Sequence, residues 1–183
     1  MSNIWTSRYS NPELRSGNYY PVGISLGRPK FSLGYKLYEQ CYMLAPTRAM
    51  WNIVSDEDFE VAYVNNLEKI GKEKIRETLE MIMDRADGKD VVLLCFEDVR
   101  DESQCCHRTM LAKWLNENFE TDVRELYDPS EVKLKKKAAA KTEESKSGSA
   151  STSKAKAQAK SPIGLQPADV MYGQMNIWDY LKA

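Results

Sequence analysis

No apolar run in this 183-residue chain is longer than six residues, Val91 to Phe96, against the roughly 20 needed to cross a bilayer. No membrane span is expected. The opening stretch, MSNIWTSRYS, has no basic segment followed by an apolar one, so no secretory signal is expected either. Cysteine is scarce, at four, and two of the four are adjacent. That is a poor disulfide framework and fits reduced thiols in a cytoplasmic protein. No CxxC pair occurs, so spacing alone assigns no metal ligands. His107 is the only histidine, and any imidazole chemistry must use it. Internal repeats are absent.

Net charge is nearly absent too, with 26 basic against 27 acidic residues. The balance conceals an asymmetry. Residues 131 to 160 carry nine lysines against three glutamates, and residues 161 to 183 carry one lysine against two aspartates. The first 130 residues are left with sixteen basic against twenty-two acidic side chains. An acidic body therefore carries a basic tail. Composition changes abruptly near Pro129, where a Lys-, Ala- and Ser-rich stretch begins that has almost no large apolar groups. Such a stretch cannot bury enough surface to offset the entropy of ordering. The expected organisation is a single domain over 1–129, a disordered linker over 130–169 and a peptide over 170–183. As a flexible coil the linker would span roughly 35 Å.

Within the domain, strand and helix patterns alternate. Ile4 to Ser7 and Val22 to Leu26 read as strands, separated by a loop containing Asn11, Pro12, Gly17 and Asn18. Residues 35–45 read as a helix. Ser55 followed by Asp58 resembles a capping box ahead of Phe59, Tyr63, Val64 and Leu67. Ile70, Ile75, Leu79, Ile82, Met83 and Ala86 share the next helical stripe, which Asp87 and Gly88 end. Val91 to Phe96 is a continuous apolar run of strand length, as expected for a central strand covered on both faces. A helix over 106–119 turns Met110, Leu111, Trp114 and Leu115 inward, and Val123 to Tyr127 reads as a last strand. The predicted class is α/β, with a largely parallel sheet flanked by helices.

The chemistry-bearing segment is VVLLCFEDVRDESQCCHRTMLAKWL. It runs from a buried strand through a polar loop into a helix that opens on Cys106, His107 and Arg108. Open α/β sheets bind ligands at the carboxyl ends of their strands, and a helix N-terminus offers free N–H donors to an anion. Cys106 beside His107 and Arg108 is a candidate thiolate nucleophile of lowered pKa. Arg8 and Arg28 also follow predicted strands, where they would bind phosphate at the same rim. Cys95 reads as core, and His107 shares a face with Leu111, as a structural histidine does. Cys95, Cys105, Cys106 and His107 are all of metal-ligating type, but without a CxxC pair no metal site is assigned and the cofactor stays unknown.

WTSRYSN, YYPVGISLGRPKF and LLCFEDV followed by CCHRTMLAKWL resemble the bacterial, archaeal and phage family called domain of unknown function 488. The resemblance covers about residues 1 to 127, and its signature is a CHR triplet after a CFE strand. It implies that Ser7, Arg28, Cys106, His107 and Arg108 gather at one site. No reaction is implied.

The tail carries a second resemblance. Gln174-Met175-Asn176-Ile177-Trp178 is similar to the pentapeptide Gln-Leu-Ser/Asp-Leu-Phe by which bacterial proteins dock on the sliding clamp of DNA replication. Ile177 and Trp178 would be the two apolar anchors, with Gln174 fixing register by hydrogen bonds. The frame Gln174, Ile177, Tyr180, Leu181 is also similar to the peptide read by PCNA-type clamps, although Leu181 departs from an aromatic there. The expected function is an accessory protein of replication or repair, tethered to the clamp, whose domain binds a nucleotide or a nucleic-acid phosphate at the Cys-His-Arg site. The alternative is a small-molecule enzyme with Cys106 as nucleophile and an incidental tail.

Overall fold

A computed structural model describes residues 3–101 and 104–132. By contacts the chain divides into a unit over 1–138 and a second over 139–183, so every described residue belongs to the first. Beyond its first three residues the linker lies outside the described residues, as does the whole clamp-like peptide.

Five strands, β1 (Ile4–Arg8), β2 (Tyr19–Gly23), β3 (Glu39–Gln40), β4 (Asp90–Cys95) and β5 (Arg124–Glu125), form one sheet in the order β3-β2-β4-β1-β5. Every pairing is parallel. The apolar run is the central strand, with Val91, Val92, Leu93 and Leu94 all fully buried. Because side chains alternate across a strand, Val91 and Leu93 face one core and Val92 and Leu94 the other. The fold class is therefore α/β with a parallel sheet.

Three helices, α1 (Asp56–Ile70), α2 (Lys72–Arg85) and α3 (His107–Asn118), pack on the Val91 face. They contribute Tyr63 and Leu67, Ile75, Leu79 and Ile82, and Met110, Leu111, Trp114 and Leu115. The opposite face is closed by Leu14 of a 3-10 turn (Pro12–Ser16) and by Leu33, Tyr35 and Leu37 of a loop. Helices thus cover one side only. The Ser55 hydroxyl accepts the Asp58 N–H at 3.2 Å, capping α1. Gly71, at φ +91°, separates α1 from α2, and Asp87 with Gly88 follow α2 in left-handed conformation.

Two expectations are corrected. Residues 35–45 are not a helix but the edge strand β3 and a 3-10 turn (Tyr42–Leu44). Tyr38 stacks on Tyr20 with ring centroids 4.3 Å apart, and the Tyr38 and Cys41 N–H groups bond to the Pro21 and Gly23 carbonyls. Pairing with β2 overrides the local pattern. Strand β2 itself lies three residues earlier than Val22–Leu26, with Pro21 inside it. Proline is tolerated there because Ile24 N–H bonds toward β4, on Leu94, while the Pro21 and Gly23 carbonyls face β3. By that alternation the N–H that Pro21 lacks would point to the β3 side, where pairing starts only at Val22. Among the described residues no helix is long and apolar enough to cross a membrane.

Candidate functional site

The parallel sheet sends the carboxyl ends of β2 and β4 to the same edge, and the N-terminus of α3 returns beside them. A pocket of about 370 Å³ opens there. Its floor is Cys95, Glu97, Cys106 and His107, and its walls include Trp51, Phe59 and Phe96. Ser25 and Gly27 from the loop after β2, and Asp56 from the first turn of α1, also line it.

Each floor residue is placed by a backbone reason. Cys95 ends the buried strand β4, and Glu97 follows two residues on. Cys106 is the N-cap of α3, but its side chain makes no capping bond. Its sulfur lies instead 3.1 Å from Glu97 Oε2, and the Cys95 sulfur lies 3.0 Å from the same oxygen. His107, in the first turn, is 5 % exposed. Its Nε2 is 2.8 Å from the Ile24 carbonyl, which can only accept, so Nε2 carries the proton. The other nitrogen, Nδ1, faces the Cys95 sulfur at 3.7 Å. Tyr63 meets the imidazole edge-on.

Arg108 points away from the pocket into the protein and is fully buried. Its Nε and Nη2 donate to the Glu125 carboxylate, and Nη1 donates to the Cys106 sulfur at 3.3 Å. The Cys106 thiol is drawn down from the usual thiol range. Its hydrogen bond with Cys95 is the main cause and opposes burial, with His107 and Arg108 adding to it. The Cys95 thiol is driven the other way by its bond to Cys106 and by burial. Burial lifts Glu97, but its hydrogen bonds to Cys95 and Cys106 outweigh that and hold it below the usual carboxylate range.

The structure brings together Cys106 and His107, as the sequence suggested, and adds Cys95 from what read as plain core. It does not bring the three other binding candidates to the pocket wall. Ser7 is buried in β1, paired with Leu94 of β4, and accepts a bond from Asn11. Arg8 is held by Asp98 and Asp128. Arg28 is exposed one residue past Gly27 of the rim. Both Arg8 and Arg108 are thus spent on carboxylates of the protein. Glu97, Asp56, Trp51 and Phe59 were not singled out from sequence. Glu97 stood in view as the acid that follows the CFE strand, whereas Trp51 and Phe59 reach the site only through tertiary packing.

Comparison with known families agrees with this picture. The family model described as the active DUF488-N3 subclade matches residues 25–119, the span that starts just after β2 and holds β4 and the Cys-His-Arg triplet. The chain belongs to this family of domains of unknown function. Searches of curated proteins and of solved structures gave no match.

Proposed function

We propose that the domain takes a small planar ligand, of nucleobase or nucleoside size, into the pocket between β2, β4 and α3. The observation that carries this reading is the pocket's composition. Trp51, Phe59 and Phe96 offer aromatic faces above a polar floor of Cys106, Glu97 and His107, and its volume is at the small end of ligand sites. Ligand sites of this kind combine apolar walls with a few placed polar groups. A base suits the pocket better than a phosphate, because Asp56 and Glu97 are acidic while Arg8 and Arg108 are already paired. Trp51, 69 % exposed, is the stacking platform.

Titrating nucleosides against the full chain while following tryptophan fluorescence tests the reading. Binding is expected, and Trp51→Ala is expected to weaken it about tenfold or more, in line with about 1–3 kcal/mol for one stacked base. Unchanged affinity in Trp51→Ala, or no binding of any nucleoside, rejects it.

A second observation, the sequence Gln174 to Trp178, supports a tether. In this reading the peptide docks on a bacterial sliding clamp and makes the protein an accessory factor of replication or repair, which holds the pocket near DNA. The peptide 172–183 is expected to bind a clamp on its own with an affinity on the order of micromolar, about −8 kcal/mol. Replacing Gln174, Ile177 and Trp178 together by alanine is expected to abolish that binding, measured by fluorescence polarisation. Equal binding by the triple variant removes the tether.

A further inference from the structure

We propose that Cys95, Cys106 and His107 form a site for one zinc ion, with the fourth coordination position open to the pocket beside Glu97. The inference does not depend on what fills the pocket. It rests on where three ligating atoms stand and on what supports them.

The two sulfurs and one imidazole nitrogen all lie within 4.8 Å of one another, and all three residues are buried. Zinc bonds of about 2.3 Å to sulfur and about 2.0 Å to nitrogen, set tetrahedrally, separate ligand atoms by about 3.5–3.8 Å. The Cys95 sulfur and His107 Nδ1 are 3.7 Å apart. Nothing needs to move far for one ion to touch all three.

The surroundings are those a metal site requires. A ligating histidine generally donates its other ring N–H to a carbonyl or carboxylate, which fixes the ring and leaves the ligating nitrogen free of its proton. His107 does this through Nε2 to the Ile24 carbonyl. Arg108 donates Nη1–H to the Cys106 sulfur, which supports a thiolate ligand without competing for its place. The sulfurs also share a neighbour. The Cys95 and Cys106 sulfurs converge on one Glu97 oxygen at 3.0 and 3.1 Å, and the buried Arg108 touches the Cys106 sulfur. The floor position gives the ion a path of entry, and two cysteines with one histidine plus an open position is a ligand set of catalytic zinc sites. A water bound there would be acidified at the place where the planar ligand rests.

The ligands are invisible to spacing rules because they come from two elements. Cys95 ends β4, whereas Cys106 and His107 begin α3. Cys41, outside the cluster on the helix side of the sheet, is the internal control.

The test uses the full chain, purified under reducing conditions, loaded with zinc or cobalt(II) and desalted. Elemental analysis is expected to find one zinc per chain. The cobalt form is expected to show a near-ultraviolet thiolate-to-metal band and the intense visible bands of a tetrahedral site. Cys106→Ser and His107→Gln are each expected to weaken zinc binding more than about 100-fold in competition with a chromophoric chelator, while Cys41→Ala keeps wild-type affinity. The wild-type cobalt spectrum stands even if a variant fails to fold. Well under one zinc per chain with no thiolate band overturns the proposal, as does zinc retention unchanged in a Cys95→Ser, Cys106→Ser double variant. Nucleoside binding, read on metal-free protein, succeeds or fails separately.

Discussion

Arg108 shows how far a residue's meaning depends on what lies behind it. Beside Cys106 and His107 in the sequence it read as a third member of a site facing a ligand. In the structure it is wholly buried, bridging Glu125 and the Cys106 sulfur, so it positions the site instead of contacting what enters. Which side of a helix's first turn faces a pocket depends on the docking of that helix, and no local pattern encodes it. Removing one partner of a buried ion pair costs about 3–5 kcal/mol. Since Glu125 keeps a third of its side chain in solvent, Arg108→Ala is expected at the low end, about 3 kcal/mol, by urea denaturation. A loss below about 1 kcal/mol would show that the pair is structurally idle. Cys106 and His107 were legible because both residue type and place at a helix start pointed to them, while Trp51 comes from a segment whose local sequence carries no signal of a site.

At the scale of elements, the central strand and all three helices were legible, since long periodic stripes and a six-residue apolar run leave few alternatives. The segment around Glu39 was not, because a two-residue edge strand is created by its neighbour. The ends of β1, β4 and β5 are joined by an ionic cluster in which Arg8 and Arg100 share Asp98 and Asp128. The Asp98 carboxyl is lowered to about 2, chiefly by its bonds from Arg100, against partial burial and with help from Arg8. A carboxylate depressed on folding stabilises the native state above its unfolded pKa, near 4, and that contribution disappears as pH falls through about 2. Stability is therefore expected to drop by about 2 kcal/mol between pH 4 and pH 2 from this group. Asp98→Asn is expected to remove that part of the slope, measured as the urea midpoint against pH. An unchanged slope in the variant would place the acid sensitivity elsewhere.

For the whole molecule, the abrupt change in composition at Pro129 matches the point where the sheet is complete. The described core closes between Ile4 and Leu126, and among the described residues the chain is secured past it by hydrogen bonds from Arg8 and Arg100 to Ser130. Truncation after Ala138 is accordingly expected to leave the thermal midpoint within about 2 °C, less than a 1 kcal/mol loss would produce in a domain of this size. The same truncation is expected to abolish capture on an immobilised sliding clamp. A midpoint lower by many degrees would mean that the tail belongs to the core.

The strand order has a consequence for how the chain acquires its shape. β4 lies between β1 and β2, and its first partners, Ile4↔Val91 and Tyr19↔Asp90, are separated by most of the domain's sequence. Long-range parallel pairings are slow to form, because the entropy of closing the intervening loop is lost before any contact offsets it. During synthesis β1 and β2 emerge first, with no partner strand between them until residues 90–95 follow. The pairings that join β1 to β2, and with them the pocket whose floor begins at Cys95, therefore wait for the last long strand made.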